Sequence, residues 1–109
     1  MRNFSTTDVV LVRYPFSNLQ GDKIRPAVVV GTPSTSLDLF LVALTSNLES
    51  MLEGEFALTD WQAANLNRPT AVKRTLWSME RALIIKRVGS LSSPDYNQLK
   101  RSLRLWLGL

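Results

Sequence analysis

Three short apolar runs constrain this chain more than any other feature: Val9-Val10-Leu11-Val12, Ala27-Val28-Val29-Val30 and Leu39-Phe40-Leu41-Val42-Ala43-Leu44. Each is too short for an ordinary helix, and β-branched side chains are held best on a pleated surface. Turn-forming residues separate them, with Gly31-Thr32-Pro33-Ser34 closing the second run. Short strands punctuated in this way indicate an antiparallel β domain. The first run does not alternate with polar residues, so burial on both faces is expected, as in a small barrel or a covered sheet.

Beyond the third run the signals shorten. Thr45-Ser46-Asn47 ends that strand, Glu49–Glu53 reads as acidic loop, and Glu55–Leu58 as a short strand. Asp60–Asn65 reads as one helical turn capped by Thr59 or Asp60. Arg68-Pro69 returns the chain to extended structure, after which Thr70–Trp77 and Leu83–Val88 read as strands, the latter ending at Gly89. Ser92-Ser93-Pro94-Asp95 is a helix start: a serine cap, a proline in the first turn and an acid at the positive end of the dipole. Tyr96, Leu99, Leu103, Trp106 and Leu107 then form one apolar face, with Lys100, Arg101 and Arg104 largely off it. No repeat, linker or low-complexity tract marks a boundary, so residues 1–109 are expected to form one domain.

Composition removes many chemistries. The chain has no cysteine and no histidine, which excludes thiol catalysis, imidazole acid–base chemistry and the usual zinc ligands. Its acidic residues are scattered, with only Glu53 and Glu55 close in sequence, so a magnesium site has no positive support and no metal is assigned. No apolar run approaches the ~20 residues needed to span a bilayer. The N-terminal residues lack the apolar core of a signal peptide, making the cytoplasm the expected location. Of the net charge of +4, residues 73–109 carry eight Lys/Arg against two Asp/Glu, whereas residues 1–72 carry five against seven. A basic half suits a polyanion, nucleic acid first, although solvated strand and helix faces give the same pattern.

The stretch Tyr14–Pro26 lies between the first two runs. It exceeds the about 2–5 residues of a tight hairpin turn, and long polar loops on a rigid sheet are common binding sites. Arginines and hydroxyls near turns are what remain for chemistry, and they suit a phosphodiester. Arginine offers a permanent planar charge to non-bridging oxygens, and Thr or Ser adds a donor toward developing charge. RNA brings its own nucleophile, the 2′-OH.

Asp8-Val9-Val10-Leu11-Val12, followed by Tyr14-Pro15-Phe16-Ser17-Asn18-Leu19-x-Gly21-x-Lys23-x-Arg25-Pro26-Ala27-Val28-Val29-Val30, resembles the start of MazF/PemK-like toxins, endoribonucleases of type II toxin–antitoxin pairs. The likeness continues in Leu44-Thr45-Ser46, Leu66-x-Arg68-Pro69-Thr70-Ala71-Val72-Lys73 and Ile85-x-Arg87-Val88-Gly89-x-Leu91. It thus covers nearly the whole chain, and the block from Pro15 to Ala27 is its most specific part. The resemblance implies a mainly β, SH3-like antiparallel barrel of the MazF/PemK/CcdB type with a C-terminal helix. It also implies a homodimer that cuts single-stranded mRNA without metal or other cofactor, through a 2′,3′-cyclic phosphate, and is blocked by a cognate antitoxin. The family's loop arginine falls on Arg25, which would stabilise the phosphorane and assist proton transfer; its strand-end threonine falls on Thr45, which would position the phosphate. Phe16, Ser17, Lys23, Ser46 and Arg74 are the matching candidates for substrate contact. An always-charged guanidinium does not serve as an ordinary base, so the acceptor of the 2′-OH proton stays open. The family commonly has Gly-Asp before its first strand where this chain has Thr7-Asp8. A non-catalytic module on the same barrel is the alternative, whether a gyrase-poisoning relative of the CcdB toxins, an inactive homologue or a general nucleic-acid binder.

Overall fold

The computed structural model describes residues 3–14 and 23–109, with only the backbone at Tyr14. All three apolar runs form strands: β1 Asp8–Tyr14, β2 Lys23–Gly31 and β3 Asp38–Thr45. They are followed by β4 Phe56–Ala57, β5 Ala71–Val72, β6 Trp77–Glu80, a 3₁₀ turn Arg81–Leu83, β7 Ile84–Ser90 and helix α1 Ser93–Leu107. Every strand pairing is antiparallel, in the order β4-β5-β3-β2-β1-β7, with β6 also paired to β3. The fold is therefore mainly β with a C-terminal helix, as expected.

Alternation along the strands builds two cores, one on each side of the sheet. Val9, Val28, Val42 and Leu44 join Leu99 of α1 in the first, with Phe56, Leu58 and Val72. Val10, Val12, Ala27, Val29, Leu39 and Leu41 join Met79 and Ile84 in the second. This explains why the first run is apolar at consecutive positions: both faces of the sheet are covered.

Three expectations need correction. The first concerns Lys23–Pro26, which belongs to β2 and not to a loop, with Leu11–Tyr14 as its partners. Only residues 15–22 connect the strands, and they lie outside the described residues. The second is that Thr70–Trp77 is not one strand. β5 and β6 both pair with β3, and between them Lys73 N–H donates to Ala43 O (2.9 Å) while the Thr75 hydroxyl accepts from Ala43 N–H (2.8 Å). A side-chain oxygen thus takes a backbone carbonyl's place and lets the chain step over one position. The third concerns the single turn at residues 60–65, which forms with Ala64 N–H donating to Asp60 O at 3.2 Å but lacks the expected cap. The amides of Thr59 and Asp60 are taken by the Asp95 carboxylate, each at 2.9 Å, and neither side chain accepts from a following N–H as a cap would.

Helix α1 starts where the sequence indicated, with Ser92 as cap accepting from Asp95 N–H at 3.3 Å. Gly108 ends it in the left-handed region at φ 71. Tyr96, Leu99, Leu103 and Trp106 pack on the first core, but Leu107 is 52% exposed and falls outside the buried face. Polar ties add to the docking. Ser102 Oγ donates to Gly54 O at 2.7 Å, and Trp106 Nε1 donates to Glu53 O at 2.9 Å.

Candidate functional site

The strand register decides which side chains meet. β2 and β3 pair from Ala27–Ala43 onward. Pro26 would be next, opposite Leu44, and it has no N–H with which to continue a ladder. On its other edge β3 pairs with β5, through Leu44–Val72 and Thr45–Ala71, so the edge facing β2 is left without a partner there. Carried two residues past its last pair, the β2–β3 register sets Arg25 opposite Thr45. The strand ends thus leave an open-sided gap at this point.

A cleft of about 610 Å³ fills that gap. Ile24, Arg25 and Pro26 form one side and Leu44, Thr45, Ser46 and Asn47 another. Leu66, Asn67, Arg68 and Thr70 close the third. The structure therefore brings together Arg25, Thr45 and Ser46 from residues about twenty positions apart. Among the described residues two guanidinium groups, two amides and three hydroxyls line it, with no carboxylate, a donor-rich set suited to an anion.

Thr45 is held by its own backbone neighbourhood: its Oγ1 accepts from Asn47 N–H at 3.1 Å. With that lone pair engaged, the hydroxyl proton is free to point into the cleft as a donor. Asn47 in turn accepts from Glu49 N–H through Oδ1 at 3.0 Å, which leaves its NH₂ group for a ligand. The third wall is fixed independently. Thr70, 4% exposed, donates its hydroxyl to Arg68 O at 2.8 Å, and Thr70 O accepts from Leu58 N–H at 2.9 Å.

Other candidates fall elsewhere. Lys23 is exposed, two residues before Arg25 on the same face of β2, but is not among the lining residues. Arg74 lines a separate groove of about 230 Å³ with Leu76, Leu103 and Trp106. Its backbone N–H donates to Glu55 Oε2 at 2.7 Å. Phe16 and Ser17 lie outside the described residues. The sequence did not single out Asn47, Asn67 or Thr70 as ligands, and Arg68 stood only within a motif. Its signal was the neighbouring Pro69, which marks an extended turn able to present side chains.

The departure at Thr7 now has a geometry. Thr7 sits at φ 82, where a β-branched residue is uncommon and glycine is at ease. Backbone bonds hold it there: Thr7 N–H to Val29 O and Leu91 N–H to Thr7 O, both 2.9 Å. Next to it Asp8, buried, accepts from Ser5 N–H (2.8 Å) and from Arg87 Nε (2.9 Å). Among the described residues no helix is long and apolar enough to cross a membrane.

Comparison with known proteins places this architecture. Residues 5–107 match the family model described as PemK-like, MazF-like toxin of type II toxin–antitoxin system. No curated protein matches in sequence. Among solved structures, an endoribonuclease in complex with its cognate antitoxin from a mycobacterial species aligns with a TM-score of 0.80 at 14% identity, covering 98% of this chain and 97% of that one. A second mycobacterial endoribonuclease aligns at 0.77 with 16% identity, covering 100% and 95%. The Mycobacterium tuberculosis toxin MazF-mt6 aligns at 0.73 with 14% identity, covering 94% and 97%. At these identities the structural likeness concerns the fold.

Proposed function

Because this chain belongs to the PemK-like, MazF-like toxins of type II toxin–antitoxin systems, we propose that it is an endoribonuclease that cuts single-stranded mRNA at the Arg25–Thr45 cleft. The observation that carries the proposal is the opposed placement of Arg25 and Thr45 in a donor-rich cleft that no carboxylate lines among the described residues. A phosphodiester seated there gains most from these donors when it becomes pentacoordinate, since its non-bridging oxygens then carry extra charge.

In the proposed reaction the 2′-oxygen attacks phosphorus, losing its proton, and the 5′-oxygen leaves with a proton. The products are a 2′,3′-cyclic phosphate and a 5′-hydroxyl. Arg25 supplies a charge and paired N–H donors to the non-bridging oxygens. Thr45 adds its free hydroxyl proton and fixes the phosphate against the end of β3, with Ser46 beside it. Lys23, on the same face of β2 as Arg25, extends the positive potential along the strand and steers RNA inward.

Metal independence is part of the proposal, supported by a sequence without His or Cys and by the cleft's lining. The proposal further includes action in the cytoplasm as a homodimer of single-domain chains, and neutralisation by a cognate antitoxin like the partner of the mycobacterial relative. Incubation of the purified protein with a long RNA in EDTA tests it. Fragments with 5′-hydroxyl ends are expected from the wild type and none from Arg25→Ala. Absence of cleavage, or equal cleavage by that variant, overturns it.

A further inference from the structure

The third wall of the cleft is a built element with no part in the cleavage chemistry above. Residues 61–70 leave α1's neighbourhood, cross β7 and end against β4 and β5. Gly89 allows the crossing: a Cβ there would stand 2.3 Å from Ala64 O and 2.8 Å from Ala64 C. Asn65, at φ 63, donates from Nδ2 to Val88 O at 2.9 Å. At the far end the buried Thr70 hydroxyl holds the Arg68 carbonyl. The backbone at Asn67 and Arg68 is thus moored on both sides, while both side chains are exposed toward the cleft.

Their chemistry is unspent. Among the described residues neither the Arg68 guanidinium nor the Asn67 amide has a hydrogen-bond or ion-pair partner, and the ion pair found there, Asp8–Arg87, lies elsewhere. Asn47 differs, because its carbonyl oxygen is used by its own loop. Asn67 therefore keeps both an acceptor and a donor, the combination that pairs with a base edge in two bonds. The cleft volume of about 610 Å³ is also ample for more than one phosphate group, falling within the roughly 300–1,000 Å³ of pockets that enclose whole ligands.

We propose that Asn67 and Arg68 form a second RNA subsite, in which Arg68 binds a phosphate neighbouring the scissile one and Asn67 reads the edge of an adjoining unpaired base. It rests on the cleavage reading for its substrate, and it assigns the source of sequence preference to the moored 61–70 segment. Phosphate contacts set register and base-edge contacts carry sequence; in single-stranded RNA the base edges are free to be read.

The test uses the full chain and two measurements. A single-stranded oligoribonucleotide with 2′-O-methyl groups, which blocks cleavage, is titrated over a range of salt concentrations. Arg68→Gln is expected to bind roughly ten-fold more weakly, and its log–log salt slope to fall by about 0.7, the value for one phosphate on a single strand. Arg68→Lys keeps the slope, and Arg104→Gln, exposed on α1, leaves it unchanged. On cleavable RNA, Arg68→Gln raises KM with kcat retained, and Asn67→Ala cuts as fast in total but at a broader set of sequences. An unaltered salt slope in Arg68→Gln, or an unaltered set of cut sites in Asn67→Ala, overturns the subsite. Wild-type protein that binds RNA without cutting overturns the cleavage reading instead and leaves the binding arm to judge the Arg68 contact.

Discussion

Asp95 offers the sharpest quantitative test of how the helix holds the site. Read from the sequence alone, it is an acid in the first turn of α1, where a favourable dipole interaction contributes about 0.3–1 kcal/mol. In the fold it is 1% exposed and its two oxygens accept the amides of Thr59 and Asp60 at 2.9 Å each. Hydrogen bonds to a charged group contribute about 1.5–3 kcal/mol apiece. Asp95→Ala removes both and strands two N–H groups, so a loss of about 3–6 kcal/mol is expected. Asp95→Asn keeps one acceptor and turns an NH₂ toward the other amide, so a loss of about 2 kcal/mol is expected. For a domain whose total stability is about 5–15 kcal/mol, the first loss is a large fraction. Urea unfolding at fixed protein concentration reads both values. Hydrogen exchange adds a local readout, since the Thr59 and Asp60 amides should lose protection in Asp95→Asn while the β1–β2 ladder keeps its own. If Asp95→Ala costs about 1 kcal/mol or less, the dipole account suffices and the tertiary role fails.

Other perturbations follow from the same geometry. Thr7→Gly should stabilise the protein by about 0.5–1 kcal/mol, because removing the left-handed penalty of about 1–2 kcal/mol outweighs glycine's entropic cost; a lower thermal midpoint than wild type would contradict this. Gly89→Ala should cost about 2–3 kcal/mol in urea unfolding, since the new methyl meets backbone that is held on both sides; a neutral result would mean that the 61–70 segment is free to shift. For cleavage, Arg25→Ala should lower kcat by at least about 10³-fold and Thr45→Val by about 10²-fold, the range for lost transition-state donors. Folding stability of Arg25→Ala should stay within about 0.5 kcal/mol, as expected for a surface change, while Thr45→Val should lose about 0.5–1.5 kcal/mol with its bond from Asn47 N–H; larger losses would refute a chiefly chemical role.

What the sequence revealed and what it hid differ by physical range. The apolar runs and the helix from Ser92 are local signals: β-branched residues favour strands, and a serine cap with a following proline starts a helix regardless of context. Lys23–Pro26 looked like loop because charge and proline dominate its composition. It is strand because β1 supplies hydrogen bonds on one side, and no local property of the four residues records that partner. The break at residues 73–76 was invisible for a similar reason, since Thr75 is ordinary in composition and becomes a ladder member only when Ala43 lies opposite.

The cleft combines both kinds of information. In the sequence, Arg25 and Thr45 have nothing local to connect them. Register supplies the connection, because a β2–β3 ladder fixed at Ala27–Ala43 leaves its continuation no other placement for these two positions. Pro26 makes that continuation a gap instead of more sheet, and so the proline shapes the cleft that Arg25 lines. Replacing Pro26 with alanine restores an N–H and should extend β2–β3 pairing toward Leu44 and Thr45. Narrowing the cleft in this way should impair cleavage more than it alters stability. Unchanged turnover in Pro26→Ala would show that the gap does not depend on the missing N–H.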